Sequence, residues 1–164
     1  MEEKNIIYGY KAFNEGLINN EGEKFCEGET NYKDGEGCFY DRKYLFCEKI
    51  EDALSFVNSF ENEIEVAKVS STDVSGDLLS SPFGGSIRYI SSSLKIEKVL
   101  PRKEIIDLML KEGEMTKFIT LYKLSDEEIE YIKSKYDGSI DFISRYIDCY
   151  QKGEKDAFVR TRKY

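Results

Sequence analysis

Between Tyr44 and Val69 the spacing of apolar positions changes period twice. Tyr44, Leu45, Phe46 and Cys47 form a short aromatic and aliphatic run suited to a pleated, half-buried strand. Ile50, Ala53, Leu54 and Val57 then recur at i, i+3, i+4 and i+7, which predicts one helical stripe with Glu51, Asp52, Ser55 and Asn58 pointing elsewhere. Ile64, Val66 and Val69, interrupted by Glu65 and Lys68, predict a second strand. Strand, helix and strand follow with almost no linker. A parallel crossover and an antiparallel arrangement with the helix on one face both fit that length.

The same reading extends to both sides of this unit. Ile6 to Phe13 predicts a strand that Gly9 bends or bulges. From Leu17 to Gly37 turn-forming Gly, Asn, Glu and Asp dominate, with at most one short strand, and Asp34 to Gly37 turns into the aromatic run Cys38, Phe39 and Tyr40. The stretch from Ser70 to Ser86 is either a long loop or a loop enclosing one strand. Ile87 to Leu100 alternates as two short strands or one bent strand, with serines in the middle, until Pro101 stops it. Beyond Arg102 the period becomes helical through Ile105, Ile106 and Met109, with Gly113 as the stop. Phe118 to Tyr122 reads as a short β-like run.

Ser125 and Glu128 form an S-x-x-E capping box, with Leu124 and Ile129 placed as a hydrophobic staple, so a helix runs from there to about Tyr136. Ser139 can cap a last helix carrying Phe142, Ile143, Tyr146, Ile147 and Tyr150 on one stripe and ended by Gly153. The tail from Lys155 could close the sheet as a strand. The expectation is an α+β fold: a mainly antiparallel sheet with a short helix packed on it, over residues 1–100, and a helical C-terminal segment, 101–164, on the same core.

Composition narrows the chemistry. The 164 residues include no histidine, which removes the commonest general base and the commonest metal ligand together. Cys26, Cys38, Cys47 and Cys149 are irregularly spaced and form no C-x-x-C pair, so reduced thiols in a cytoplasmic protein are expected, without metal or cofactor. No apolar run is long enough to cross a membrane, and the acidic N-terminus is unlike a secretory signal. Met1 to Glu63 hold 15 acidic and 7 basic residues, giving 7 - 15 = -8, whereas the remainder holds 17 of each. The whole net charge therefore belongs to the front of the chain. Such a field attracts basic surfaces and repels nucleic acid, although solubility alone is the plainer account of it. The candidate contact residues are Glu21, Glu23, Glu27, Glu29, Asp34 and Glu36. Twelve tyrosines and ten phenylalanines could line a stacking groove, but no basic surface is legible beside them.

The G-Y-K-A-F-N run at Gly9 to Asn14, followed by L-F-C-E-x-x-x-D-A at Leu45 to Ala53 and by E-V-A-K-V, resembles an uncharacterised family of small proteins scattered through bacteriophages and bacterial genomes. The resemblance covers roughly Tyr8 to Leu100 and implies a phage or mobile-element setting, with no activity attached. A weaker likeness is to ADP-ribosyltransferase-like folds, but no histidine is present for an H-Y-E site, and Glu112 with Glu114 stands without the R-S-E arrangement. The expected function is a non-catalytic binding module whose acidic half meets a host protein with a basic surface, for instance as an inhibitor of a nucleic-acid-handling defence protein. An enzyme or nucleotide binder with a degenerate cleft is the alternative, and it would need Arg88, Tyr89 and a carboxylate to converge in a pocket.

Overall fold

A computed structural model describes residues 5–33, 43–79, 87–112 and 115–151. The chain divides into two compact units, Met1–Pro101 and Arg102–Tyr164, so the boundary falls where the helical period begins.

Among its described residues the first unit holds seven strands in one sheet: β1 (Ile7–Asn14), β2 (Thr30–Tyr32), β3 (Tyr44–Cys47), β4 (Ile64–Ser71), β5 (Val74–Leu79), β6 (Ile87–Ser91) and β7 (Ser93–Val99). Their order is β2-β7-β4-β1-β3-β6-β5, and every pairing is antiparallel. Because β3 and β4 both run against β1, they are parallel to each other. The strand–helix–strand unit is thus a crossover into which β1 has been inserted, an arrangement between the two expected ones. Its helix, α1 (Ile50–Ala53), is one turn followed by a 3-10 turn at Leu54–Phe56. Ile50, Ala53 and Leu54 are buried as the stripe requires, while Val57 is only partly covered. Glu51 and Asp52, which lie off that stripe, are also buried, each 4% exposed, so this short helix is covered on more than one side.

The region after Val69 contains a strand, β5, and the one after Ser86 contains two. Only one residue separates β6 from β7, yet three strands lie between them in the sheet order. The sheet must therefore curl until β6 reaches β7: β4 continues into β5 and β6 into β7 as a bent ribbon, and β1 and β3 fill the space between its arms. At the bend, ladder bonds give way to short polar side chains. Ser71 Oγ and Ser93 Oγ lie 3.0 Å apart, Ser93 donates to Asp73 at 2.8 Å, the Asp73 N–H donates to Ser71 Oγ, and Ser91 Oγ donates to the Ser93 carbonyl at 2.7 Å. Serine suits this place because its hydroxyl reaches neighbouring backbone groups that a broken ladder leaves unpaired.

The concave side of the curl holds the core: Phe13, Leu17, Phe25, Tyr44, Phe46, Ala67, Val69, Leu94 and Ile96. Gly9 neither bends nor bulges β1, whose ladder with β4 runs unbroken from Ile7 to Asn14. Its role is close approach, since a Cβ there would stand 2.5 Å from the Cys47 carbonyl oxygen and 2.7 Å from the Phe46 ring.

Among its described residues the second unit has four helices: α2 (Arg102–Glu112), α3 (Met115–Leu121), α4 (Asp126–Lys135) and α5 (Ile140–Tyr150). The expected β-like run at Phe118 to Tyr122 is instead helical through Leu121. Met115, Phe118, Ile119 and Tyr122 stand at i, i+3, i+4 and i+7 and are all buried, a period that a five-residue window starting at Phe118 does not reveal. The capping box forms as read, with Ser125 Oγ accepting from the Glu128 N–H and Glu128 Oε1 accepting from the Ser125 N–H. Ser139 Oγ caps α5 by accepting from the Phe142 N–H at 3.3 Å.

Of the expected stripe on α5, Ile143 and Ile147 are fully buried, and Phe142 stays half exposed in a ladder of rings with Tyr146 and Tyr150. The helix ends at Tyr150, before Gly153, and the next residue has a task of its own. Gln151 donates to the Ile119 and Tyr122 carbonyls at 2.6 Å and accepts from the Leu124 N–H at 2.7 Å, closing the backbone where α3 ends. The expected closing strand from Lys155 and the stops at Gly113 and Gly153 lie outside the described residues.

Candidate functional site

The acidic front segment is where the structure decides most. After β1 the chain reverses at Gly16 and Leu17, both in the left-handed region, with φ of 84° and 56°. Leu17 tolerates this because Glu65 Oε2 accepts both the Gly16 and the Leu17 N–H, at 2.9 and 2.8 Å, while its side chain enters the core. Asn19, itself buried, then accepts from the Glu21 and Glu23 N–H groups and fixes the direction of both carboxylates.

Both carboxylates bond groups of the sheet and its margin, although Glu21 itself stays exposed. Glu21 pairs with Lys33 at 2.9 Å. Glu23 accepts from the Tyr44 hydroxyl at 2.5 Å and from the Asn31 amide at 2.8 Å. Lys33 Nζ also lies 4.8 Å from the centre of the Tyr44 ring. Burial together with the Glu23 carboxylate raises the Tyr44 phenol well above its ordinary range.

Lys11 belongs to the same neighbourhood. It lies on the concave side of β1, next to core residue Phe13 and across from Ala67. The strands β1 and β3 pair only at Tyr10 and Cys47, and Lys11 Nζ enters the gap beyond, donating to the Leu45 carbonyl at 2.7 Å as a backbone N–H would. The residue as a whole is only partly buried, so the shielding falls on its amine end. Burial drives that amine down to about pKa 8, with Lys33 adding to the shift and Cys47, Glu21 and Glu23 opposing it. An amine near neutrality is a nucleophile or a base in chemical terms. Here it has a carbonyl to satisfy, which is a structural task.

Glu27 and Glu29 behave differently. They are exposed on a turn closed by the Glu29 N–H to the Cys26 carbonyl, which docks on β7 through Gly28 N–H to the Ile96 carbonyl and Ile96 N–H to the Glu29 carbonyl. Three residues on, at the end of edge strand β2, Tyr32 is 71% exposed. The six expected contact residues therefore separate into two that organise the loop, Glu21 and Glu23, two that face solvent, Glu27 and Glu29, and two, Asp34 and Glu36, that lie outside the described residues. Asn19 and Tyr44 were missed as partners of the glutamates; the Asn19-Asn20 pair ahead of Glu21 is the signal that could have found the turn.

Among the described residues, Arg88 and Tyr89 do not converge on one site. Arg88 and Tyr89 are neighbours on β6, so the pleat sends them to opposite sides. Tyr89 packs on Phe46 with ring centres 5.1 Å apart, whereas the Arg88 guanidinium lies 5.0 Å from the centre of the Phe56 ring. Cys26 is exposed, Cys47 buried and Cys149 half-buried, none of them in a disulfide, and Cys38 lies outside the described residues. Among the described residues no group of three or more His, Cys, Asp or Glu side chains is placed to hold a metal ion, and no helix is long and apolar enough to cross a membrane. In comparison with known protein families, curated proteins and solved structures, the chain matches none.

Proposed function

We propose that this chain is a non-catalytic binding module from a phage or mobile element, acting in the cytoplasm, that presents Glu27, Glu29 and Tyr32 to the basic surface of a host protein. The reading rests on the contrast inside the acidic segment: two carboxylates hold the loop in shape, and the two that follow are left in water beside a ring that is 71% exposed. A rigid loop loses little freedom on binding, and an exposed tyrosine rimmed by charges has the composition of an interface anchor. Carboxylates presented in this way can occupy a site built for phosphates, so a nucleic-acid-handling defence protein fits as the target.

The test is capture from bacterial lysate by the tagged chain, at low and high salt, beside a Glu27→Lys/Glu29→Lys double variant and Tyr32→Ala. The expected result is a basic protein retained by the parent chain at low salt and lost in both variants and at high salt. Equal capture by the double variant, or no protein retained even at low salt, overturns the reading.

A further inference from the structure

The convex face of the sheet has a character that the acidic composition conceals. Outward positions of neighbouring strands line up in two rungs: Thr30, Lys95, Ser70 and Tyr8 are successive cross-strand partners, and so are Lys98, Lys68 and Tyr10. Toward the end of β1 that carries Ala12, the face is closed by α1, and Ala12 and Val66 are buried there. The other end is open. Tyr8 is 50% exposed, Lys68 is exposed with its Nζ 5.1 Å from the centre of the Tyr8 ring, and Lys98 is exposed beside it. A carboxylate, Glu97, shares this surface: it accepts from Ser70 Oγ at 2.6 Å and lies 3.9 Å from Lys95 Nζ.

We propose that this open half of the convex face binds single-stranded nucleic acid, with the Tyr8 ring stacking on a base and Lys68, Lys95 and Lys98 meeting the phosphates. The occupant follows from the pairing of groups. A ring standing on a sheet in water offers its face to any unpaired base, and ammonium groups one and two strands away can follow the backbone that the base hangs from. A duplex keeps its bases inside its stack and can use only the charges. The net charge of -8 argues against nucleic acid as a whole-molecule statement. It does not decide a local contact, because exposed charges farther away than about 8 Å are largely screened at physiological salt. The alternation of β1 also makes Tyr8 dispensable for the fold: Ile7 packs on the core and Tyr8 does not.

The experiment is a fluorescence-anisotropy titration of labelled oligodeoxythymidylate and oligouridylate of about ten nucleotides, against the full chain at rising salt, beside a duplex of the same length. Saturable binding to the single strands is expected, weaker for the duplex, with log affinity falling against log salt at a slope of about -2 for three lysines. Tyr8→Ala should weaken it about tenfold, Tyr8→Phe should restore it, and Lys68→Ala should weaken it and flatten the salt slope. Glu27→Gln/Glu29→Gln should leave it unchanged, which separates this surface from the proposed protein contact. No binding at low salt, equal binding of the duplex, or an unaltered affinity in Tyr8→Ala overturns the proposal. Circular dichroism of each variant shows that the fold is retained.

Discussion

The two faces of strand β1 carry the residues that composition alone would assign the other way round. On the concave face a lysine, Lys11, stands next to Phe13 in the core and bonds a backbone carbonyl; on the convex face Tyr8 stands half exposed under an ammonium group. Both faces obey the same pleat, so local geometry is not at issue. The difference teaches that residue type reports the task of a position, and that a polar group inside or a ring outside marks where the fold does something besides exclude water. Lys11 completes a ladder that β1 and β3 cannot complete themselves, whereas Tyr8 contributes nothing to the core.

The sharpest way to break this contrast is to truncate one residue on each face. Phe13→Ala should cost about 3–5 kcal/mol in chemical denaturation, because its ring is fully buried against Phe25 and leaves a cavity. Tyr8→Ala should stay within about 0.5 kcal/mol of the parent. Comparable losses at the two positions would show that the faces are not distinct.

A pH series sharpens the role of Lys11. In the unfolded chain its amine keeps the proton up to about 10.5, and in the folded protein only to about 8. Between those values the unfolded state binds more protons, so stability should rise with pH across that window, by roughly 1–3 kcal/mol. Below pH 8 the full cost of the buried charge is present. The Tyr44 phenol acts in the opposite sense at the upper edge: its pKa is raised, so above about pH 10 the unfolded state ionises first and stability declines. Lys11→Met should remove the rise between pH 8 and 10 and keep the decline above it. An unchanged slope in that variant would remove Lys11 from the account.

An effect of similar size is expected at the point where the two inner strands touch. Gly9→Ala places a methyl group against the Cys47 carbonyl oxygen and the Phe46 ring and should cost about 1–3 kcal/mol in the same denaturation measurement. A neutral result there would mean that β1 and β3 can move apart, and that Lys11 is held by something other than the narrowness of the gap.

Much of this fold is legible in the chain because it depends on neighbours a few residues apart. The helical stripe from Ile50, the alternation of β6 and β7 and the caps at Ser125 and Ser139 are all local, and the α+β class with its antiparallel sheet follows from them. Where a reading failed, the missing information was distant or required a wider window. Phe118 to Leu121 is helical because the stripe begins at Met115 and because Gln151, 29 residues beyond Tyr122, closes the end of α3. The acidic segment was the hardest case: Glu21 and Glu27 are the same residue type six positions apart, and only the fold places Lys33 against the first and water around the second.

Sequence alone settled the alternation within strands, the start of the helices, the lack of imidazole and the concentration of negative charge in the first 63 residues, since each is a property of residue identity and spacing. Tertiary structure alone decided that β3 and β4 flank β1, that the sheet curls at its serines, which glutamates remain in water, and that lysines and tyrosines share one convex face. Those outcomes depend on which strands become neighbours, and strand pairing is made by contacts between residues far apart in the chain, for which local spacing carries no signal.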